Sequence, residues 1–378
     1  MESTLSPSRR SPPAAPETGA SPAQSQSFLS RVRRQLLAVD VCIVGFLAMM
    51  IAWALLGMVV PAARLYPYDS RYSWAEIPAW TLVLKLSGIL AVYLIAQRFG
   101  VYYHRNYAST GRKAPLWLAS ANIAYVFIPV LLLPLVFNLL GAFISGVSGV
   151  PTIEAHPAYD PGANYDRAAT YWDIWLKDLD VTMTGVYPAA WLRQFQAPWS
   201  TGLMLLCYLA YYVSPLVAVL PQILKRKWRR VRRITGIYAG ALVTTYVGYI
   251  LIPATGPRFE GGFKAWMPEQ PGWFATEFWQ TTLDNAEVIR WDAFPSGHVA
   301  IAIVALVLAL RHHRKVGLAY LPFVIGLPLA TVFLGYHYLT DVVFGFVFAI
   351  GTFLVLEPAV RWWESAWHVP EETEKPAL

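Results

Sequence analysis

The chain has 378 residues, of which 56% are hydrophobic and 14% are charged, and its formal net charge at pH 7 is +7. Water-soluble domains carry about 25% charged residues, so this composition, with a mean hydropathy of +0.42, excludes an ordinary soluble enzyme. The two cysteines, Cys42 and Cys207, are too few for a disulfide framework and lack metal-ligand spacing.

The first thirty residues are rich in Ser, Pro and Ala and show no apolar periodicity, which predicts a disordered tail. The first apolar run lies deeper in the chain than the core of a secretory signal peptide, and it is also longer than such a core. We therefore expect this run to be a retained membrane anchor.

Eight apolar runs follow the tail, and a helix needs about 20 such residues to cross a bilayer. The sixth run is short, and the third is overlong and carries Pro129 and Pro134, so we expect it to be kinked or partly interfacial. The predicted fold is all-α, a polytopic membrane bundle of about eight transmembrane helices with outer interfacial helices. The runs cover residues 36–60, 80–96, 116–147, 202–224, 234–253, 299–310, 316–334 and 338–356.

These runs divide the chain into five predicted regions. They are a cytoplasmic tail (1–30), N-terminal membrane helices (31–147), an outer loop with an interfacial amphipathic helix (148–200), a catalytic membrane core (201–358) and a cytoplasmic C-terminal tail (359–378).

Basic clusters flank alternate ends of the runs, as the positive-inside rule requires. The densest is "KRKWRRVRR" at residues 225–233. Attraction to anionic lipid explains this cluster without a nucleic-acid partner. The alternation predicts that both termini are cytoplasmic and that three polar motifs, "PATGPRF", "PSGH" and "GYHYLTD", lie on the extracytoplasmic face.

In the predicted outer loop, the stretch from Tyr171 to Trp199 shows the periodicity of an amphipathic helix that lies at the membrane interface. An alternative is that the helix forms a wall or lid for a lipid headgroup. Apolar and aromatic residues, among them Trp172, Trp175 and Leu176, share one face, opposite Asp173 and Asp180.

The motif "GYHYLTD" places His337 four residues before Asp341, so the two side chains share a face if the segment is helical. A carboxylate beside an imidazole fixes the tautomer of the ring and leaves its other nitrogen available as a nucleophile or base. A hydrogen-bonded pair at an interface turn is the structural alternative.

The motif "PSGH" puts Ser296, Gly297 and His298 at the start of an apolar helix, where free backbone N–H groups attract an anion. The motif "PATGPRF" delivers Arg258, whose guanidinium is suited to a phosphate. Two histidines, an aspartate, an arginine and a helix N-terminus together favour phosphoryl transfer through a phosphohistidine. No metal or other cofactor is expected, because motifs for one are absent from the sequence.

The three motifs resemble those of the type 2 phosphatidic acid phosphatase superfamily. The resemblance covers roughly residues 199–356 and is specific at PSGH and HxxxD. It implies that His337 is the nucleophile, Asp341 its orienting carboxylate and His298 the general acid, and that Arg258, Ser296 and Gly297 hold the phosphate.

Two positions depart from the superfamily pattern. Leu251 stands where a lysine is expected seven residues before Arg258, and Thr331 stands where an arginine is expected six residues before His337. A dianionic monoester needs these cations more than a monoanionic diester does. The reduced set resembles the inositol phosphorylceramide synthase branch, whose members move a phospho-headgroup between lipids.

Three functions remain open from the sequence. The first is a lipid phosphotransferase that uses a phospholipid donor and a lipid alcohol acceptor. The second is a lipid phosphate phosphatase, of phosphatidic acid or polyprenyl phosphate type, that uses water as acceptor. The third is a non-catalytic membrane protein with a degenerate site.

Overall fold

The structure, a computed structural model, describes residues 28–33, 36–59, 79–108, 110, 112–148, 157, 170–259, 276–286 and 291–365. Within these residues it is 86% helical and contains no strand. Residues 60–78, nearly all of the predicted tail and most of the predicted outer loop before residue 170 lie outside the described residues.

The helices follow the predicted apolar runs. Numbered along the chain, they are α1 (Phe28–Arg33), α2 (Ala38–Val59), α3 (Ala79–Tyr103), α4 (Leu116–Ser148), α5 (Tyr171–Thr184), α6 (Pro188–Leu192), α7 (Pro198–Leu224), α8 (Trp228–Leu251), α9 (Thr276–Ala286), α10 (Gly297–His312), α11 (Arg314–Phe333), α12 (Leu339–Gly351) and α13 (Glu357–Glu364).

All eight predicted runs form helices, namely α2, α3, α4, α7, α8, α10, α11 and α12. Among the described residues, six helical segments are long and apolar enough to cross a membrane. The predicted all-α polytopic membrane fold is therefore confirmed. The third run, α4, is one uninterrupted helix of 33 residues despite Pro129 and Pro134, and the sixth, α10, has only 16 residues.

The helix α8 lies at the centre of the bundle. It contacts α2 and α4, which belong to the N-terminal membrane helices, and it also contacts α7, α10 and α12, which belong to the predicted catalytic core. Most of its span is buried, whereas α3 and α12 expose large apolar side chains such as Leu84 and Ile350. Exposed apolar side chains at this density suit a surface that contacts lipid.

A buried carboxylate connects the three N-terminal membrane helices. Asp40 in α2 accepts hydrogen bonds from the hydroxyls of Tyr93 in α3, at 2.7 Å, and Tyr125 in α4, at 2.6 Å. It also accepts one from the backbone N–H of Leu37, at 2.8 Å. Because a buried charge needs such partners, this network fixes how the three helices meet.

The predicted C-terminal tail, residues 359–378, begins within a short helix. A five-residue π turn joins α12 to α13, which covers residues 357–364 and packs against α2 and α8. Glu364 accepts the N–H of Ala38 at 3.0 Å and lies 3.7 Å from Arg232. The first part of the expected tail is therefore a packed helix, while residues 366–378 lie outside the described part of the chain.

The α5 helix forms where the amphipathic helix is predicted, but its buried face differs from the expected one. Thr170 caps its N-terminus, and Gly185 ends it in the left-handed conformation. The two aspartates that the sequence places on the polar face, Asp173 and Asp180, are both fully buried, while Trp175 is exposed. The reason is that both carboxylates accept hydrogen bonds from segments of the membrane core.

Candidate active site

The two predicted catalytic histidines lie side by side. His298 Nδ1 is 3.2 Å from His337 Nε2. His298 stands in the first turn of α10, and His337 lies in the corner between α11 and α12. This corner is held because the N–H groups of Tyr336 and His337 both donate to the carbonyl of Thr331. Residues that are 39 apart in sequence therefore share one site.

The ring of His337 is oriented mainly by a backbone carbonyl. Its Nδ1 lies 2.8 Å from the oxygen of Ala293 and 3.5 Å from Oδ2 of Asp341. A carbonyl accepts only, so this contact assigns the proton to Nδ1. Neutral His337 then offers the lone pair of Nε2, and the Nδ1–H of His298 donates to it.

The predicted role of Asp341 needs a correction in its geometry. His337 precedes α12, which begins at Leu339, so the pair does not share a helical face. Asp341 instead stands in the first turn of α12, fully buried, and its Oδ2 accepts the N–H of Tyr338 at 2.8 Å. Its carboxylate still lies beside His337, but the closer acceptor of the Nδ1 proton is the carbonyl of Ala293.

The PSGH segment is packed tightly against α8 and α12. Ser296 caps α10, since its hydroxyl accepts the N–H of Val299 at 3.4 Å, and its own N–H donates to the carbonyl of Asp341 at 2.9 Å. A Cβ on Gly297 would lie 2.2 Å from the hydroxyl of Tyr249. The backbone N–H and the hydroxyl oxygen of Ser296 therefore hold the start of α10 in place.

Arg258 reaches the site through a turn that follows α8. Its N–H donates to the carbonyl of Gly335 at 2.7 Å, and its guanidinium lies 4.6 Å from the ring centroid of Tyr336. Gly256 makes this approach possible: its φ is +84°, and a Cβ there would lie 2.4 Å from the carbonyl oxygen of Tyr336. The structure thus places all three motifs together.

An aromatic column that the sequence interpretation missed supports the histidines. The ring of Tyr208 in α7 stacks on His298, at a centroid distance of 4.6 Å, and on Tyr336, at 4.5 Å. Tyr211 contacts His298 as well, at 4.3 Å. The only signal in the sequence is a set of tyrosines within an otherwise aliphatic run, and such residues are common in membrane helices.

The two carboxylates of α5 are a second group that the sequence interpretation missed as site components. Asp173 contacts the segment before Arg258, and Asp180 contacts the start of α12. Burial raises the pKa of both carboxyl groups, and their hydrogen bonds act in the opposite direction. Only the tertiary structure shows which helix termini these side chains meet.

The two positions that lack the expected cations lie in different surroundings. Leu251, at the end of α8, is 64% exposed and is directed away from the packed core. Thr331 is fully buried, and its contribution to the site is the backbone carbonyl that holds the corner of His337. Neither side chain supplies a positive charge, so Arg258 is the motif cation that remains.

Within the described part of the chain, no group of three or more His, Cys, Asp or Glu side chains is placed to hold a metal ion.

Comparison with known proteins identifies one similarity. Residues 175–355 match a family model that is described as the PAP2 superfamily. Neither the curated proteins nor the solved structures include a match to this chain. The matched residues include all three motifs and most of α5, and they exclude the N-terminal helices α2, α3 and α4.

Proposed function

Because residues 175–355 are similar to the PAP2 superfamily, we propose that this multi-pass membrane protein is a lipid phosphotransferase. It moves a phospho-headgroup from one lipid to another through a phosphohistidine on His337. The observation that carries the proposal is the 3.2 Å approach of the two imidazoles, with Nδ1 of His337 engaged by Ala293.

In the first half of the reaction, Nε2 of His337 attacks the phosphorus of the donor lipid. The bond from phosphorus to the leaving oxygen breaks, and His298 gives its Nδ1 proton to that oxygen. In the second half, the hydroxyl of the acceptor lipid attacks the phosphorus, and His298 takes the proton of that hydroxyl. The bond between phosphorus and nitrogen breaks, and both histidines return to their starting states.

The charge of the site supports a diester donor. Arg258 is the motif cation that remains, and it is buried next to the histidine corner. A phosphodiester carries a single negative charge, which one guanidinium can balance, whereas a phosphate monoester carries up to two. Ser296 and Gly297 join Arg258 in holding the phosphate, using donors at the start of α10.

An apolar groove between α7 and α11 supports a lipid substrate. It has a volume of about 380 Å³, and its lining residue Ala210 is followed in α7 by Tyr211, whose ring contacts His298. Apolar walls that the protein's own side chains leave unfilled can make favourable van der Waals contacts with a hydrocarbon chain. The groove is lined by Leu206, Leu209, Ala210, Val213, Val217, Val316, Ala319, Tyr320 and Phe323.

The site opens on the extracytoplasmic side in this proposal, and both termini are cytoplasmic. The supporting observation is that α8 and α10 carry basic residues at the end of the bundle remote from the histidines. Arg230 and Arg233 lie close enough to His312 to act on it electrostatically. Basic residues favour the cytoplasmic side.

Purified protein in nanodiscs, incubated with a labelled phospholipid, tests the proposal. With added ceramide or diacylglycerol we expect the labelled headgroup to move to the acceptor. Release of the headgroup into water, with or without an acceptor, would instead identify a lipid phosphatase. Neither product, with a correctly folded protein and several phospholipid classes, would leave the non-catalytic alternative.

A further inference from the structure

Two buried carboxylates on α5 each contact a segment that carries a proposed active-site residue. Asp173 and Asp180 are seven residues apart, so they lie on the same face of α5, about two helical turns from one another. Both side chains are fully buried. The hydrogen bonds that each one accepts connect α5 to the membrane core.

Asp173 holds the segment that leads to Arg258. Its Oδ1 accepts the N–H groups of Thr255, at 2.8 Å, and Gly256, at 3.1 Å. The same oxygen lies 3.2 Å from the hydroxyl of Tyr338, which directly follows His337. The carboxylate therefore links the arginine segment to the histidine corner.

Asp180 holds the start of α12. Its Oδ2 accepts the N–H of Leu339 at 2.8 Å, and its Oδ1 accepts the N–H of Thr340 at 2.7 Å and the hydroxyl of Thr340 at 2.6 Å. The residue at the N-cap position, Tyr338, makes no side-chain cap of its own. A carboxylate from another helix thus satisfies two of the first four N–H groups of α12.

We propose that Asp173 and Asp180 are positioning residues, through which α5 sets the distance and orientation of Arg258 and Asp341 relative to His337. This inference rests on the function proposed above. Its basis is that the core residues that donate hydrogen bonds to Asp173 and Asp180, as described above, all lie within three residues of Arg258, His337 or Asp341. Both contacted segments, residues 255–256 and 338–340, therefore adjoin proposed active-site residues.

A consequence concerns where the phosphate binds. The carboxylate of Asp180 already accepts the N–H groups of Leu339 and Thr340 at the start of α12, so these donors are not available to a phosphate. The N-terminus of α10, with Ser296, is then the helix end that serves the phosphate. Asp180 thus limits where the phosphate can bind as well as holding the start of α12.

The test uses Asp180→Asn, Asp173→Asn and the control Asp178→Asn, which changes an exposed aspartate on the same helix. An amide keeps the shape of the side chain but places a donor opposite a backbone N–H. We measure kcat and KM for headgroup transfer in nanodiscs, and hydrogen exchange of the amides at 255–256 and 339–340. In Asp180→Asn and Asp173→Asn we expect kcat to fall about 10²-fold, which is the loss that a shift of a reacting group by about 1 Å can cause. We expect KM in these two variants to stay close to that of Asp178→Asn.

Hydrogen exchange should accelerate at 339–340 in Asp180→Asn and at 255–256 in Asp173→Asn, while exchange in the rest of the bundle matches the control. Equal kcat in all three variants would overturn the inference. If the asparagine variants fold poorly, Thr340→Val removes a single hydroxyl donor, and we expect kcat to fall about fivefold. Unchanged kcat and exchange in Thr340→Val would also count against the inference.

The two proposals fail in different ways. A wild-type protein that neither transfers nor releases a headgroup overturns the proposed function, whatever the exchange of its amides. A wild-type protein that transfers headgroups, together with α5 variants that match Asp178→Asn, overturns the positioning inference alone.

Discussion

The ring of Tyr208 stacks on the ring of His298, with their centroids 4.6 Å apart and their planes inclined by 30°. Tyr208 also stacks on Tyr336, and the guanidinium of Arg258 lies over the ring of Tyr336. A residue from the middle of α7 thus connects the proposed general acid to the arginine that is proposed to hold the phosphate.

Replacing Tyr208 by leucine should lower kcat for headgroup transfer by up to about tenfold, because a stacked aromatic pair contributes about 0.5–1.5 kcal/mol. Tyr208→Phe keeps the ring and should stay near wild type. Steady-state kinetics of both variants test this expectation. A loss of activity in Tyr208→Phe equal to that in Tyr208→Leu would assign the effect to the hydroxyl instead of the stacking.

Replacing His337 by alanine should abolish both turnover and the covalent intermediate, since Nε2 of His337 is the atom that attacks phosphorus in the proposed mechanism. We expect a loss of about 10³-fold or more. Acid-labile label on the protein, measured after rapid quenching with a donor that has a good leaving group, reports the intermediate.

The matched variant is His298→Ala, which should still accumulate label with the same donor, because a good leaving group needs little protonation. Label on His337→Ala but not on His298→Ala would mean that the two roles are exchanged. Full activity in both variants would contradict an enzymatic function.

Replacing Asp341 by asparagine should leave the fold intact and reduce kcat by about 10²-fold. The carboxylate lies 3.5 Å from Nδ1 of His337 and stabilises the positive charge that develops on the ring. Because Ala293 is the nearer acceptor, we expect the label on His337 to form slowly rather than to disappear. Rapid-quench kinetics measure this rate, and a variant with unchanged kcat would show that Ala293 alone orients the ring.

Replacing Gly256 by alanine should impair both stability and transfer. Both Gly256 and Gly185 have a positive φ, so each alanine costs about 1–2 kcal/mol in backbone strain. Only at Gly256 would the new Cβ collide with the carbonyl of Tyr336, whereas nothing lies within 4 Å at Gly185. The Tm of thermal unfolding and kcat should therefore both fall further in Gly256→Ala than in Gly185→Ala. Equal effects in the two variants would argue against a tight approach of Gly256 to the carbonyl of Tyr336.

The orientation predicts which cysteines a membrane-impermeant maleimide can reach in intact cells. Met183 at the end of α5 and Lys225 after α7 are both exposed. Met183→Cys should react with the maleimide in intact cells, whereas Lys225→Cys should react only after the cells are opened. Labelling of the native protein, which carries Cys42 and Cys207, gives the background signal. The reverse pattern would place the active site on the cytoplasmic side.

The sequence predicts the helices well because a bilayer demands long apolar segments, and each of the eight runs meets or approaches that demand. It also predicts which motifs converge, since charge alternation places them at one end of the bundle. It fails for Tyr208, whose stacking partners come from distant helices. It fails for Asp173 and Asp180 too, because helical periodicity separates polar from apolar faces but does not reveal that a polar face meets helix termini in the core.

The packing of α8 indicates how the protein would be affected by removal of its N-terminal helices. It packs against α2 and α4 on one side and against α10 on the other, and its C-terminal end leads to Arg258. Gly236 approaches Ala38 closely, so side chains of α2 complete the packing of α8. The region similar to the PAP2 superfamily, residues 175–355, begins after α2 and α4 in the chain. A shortened protein that starts at α5 would therefore leave one flank of its central helix bare, and the N-terminal helices are an integral part of the helix bundle rather than a module that can be exchanged.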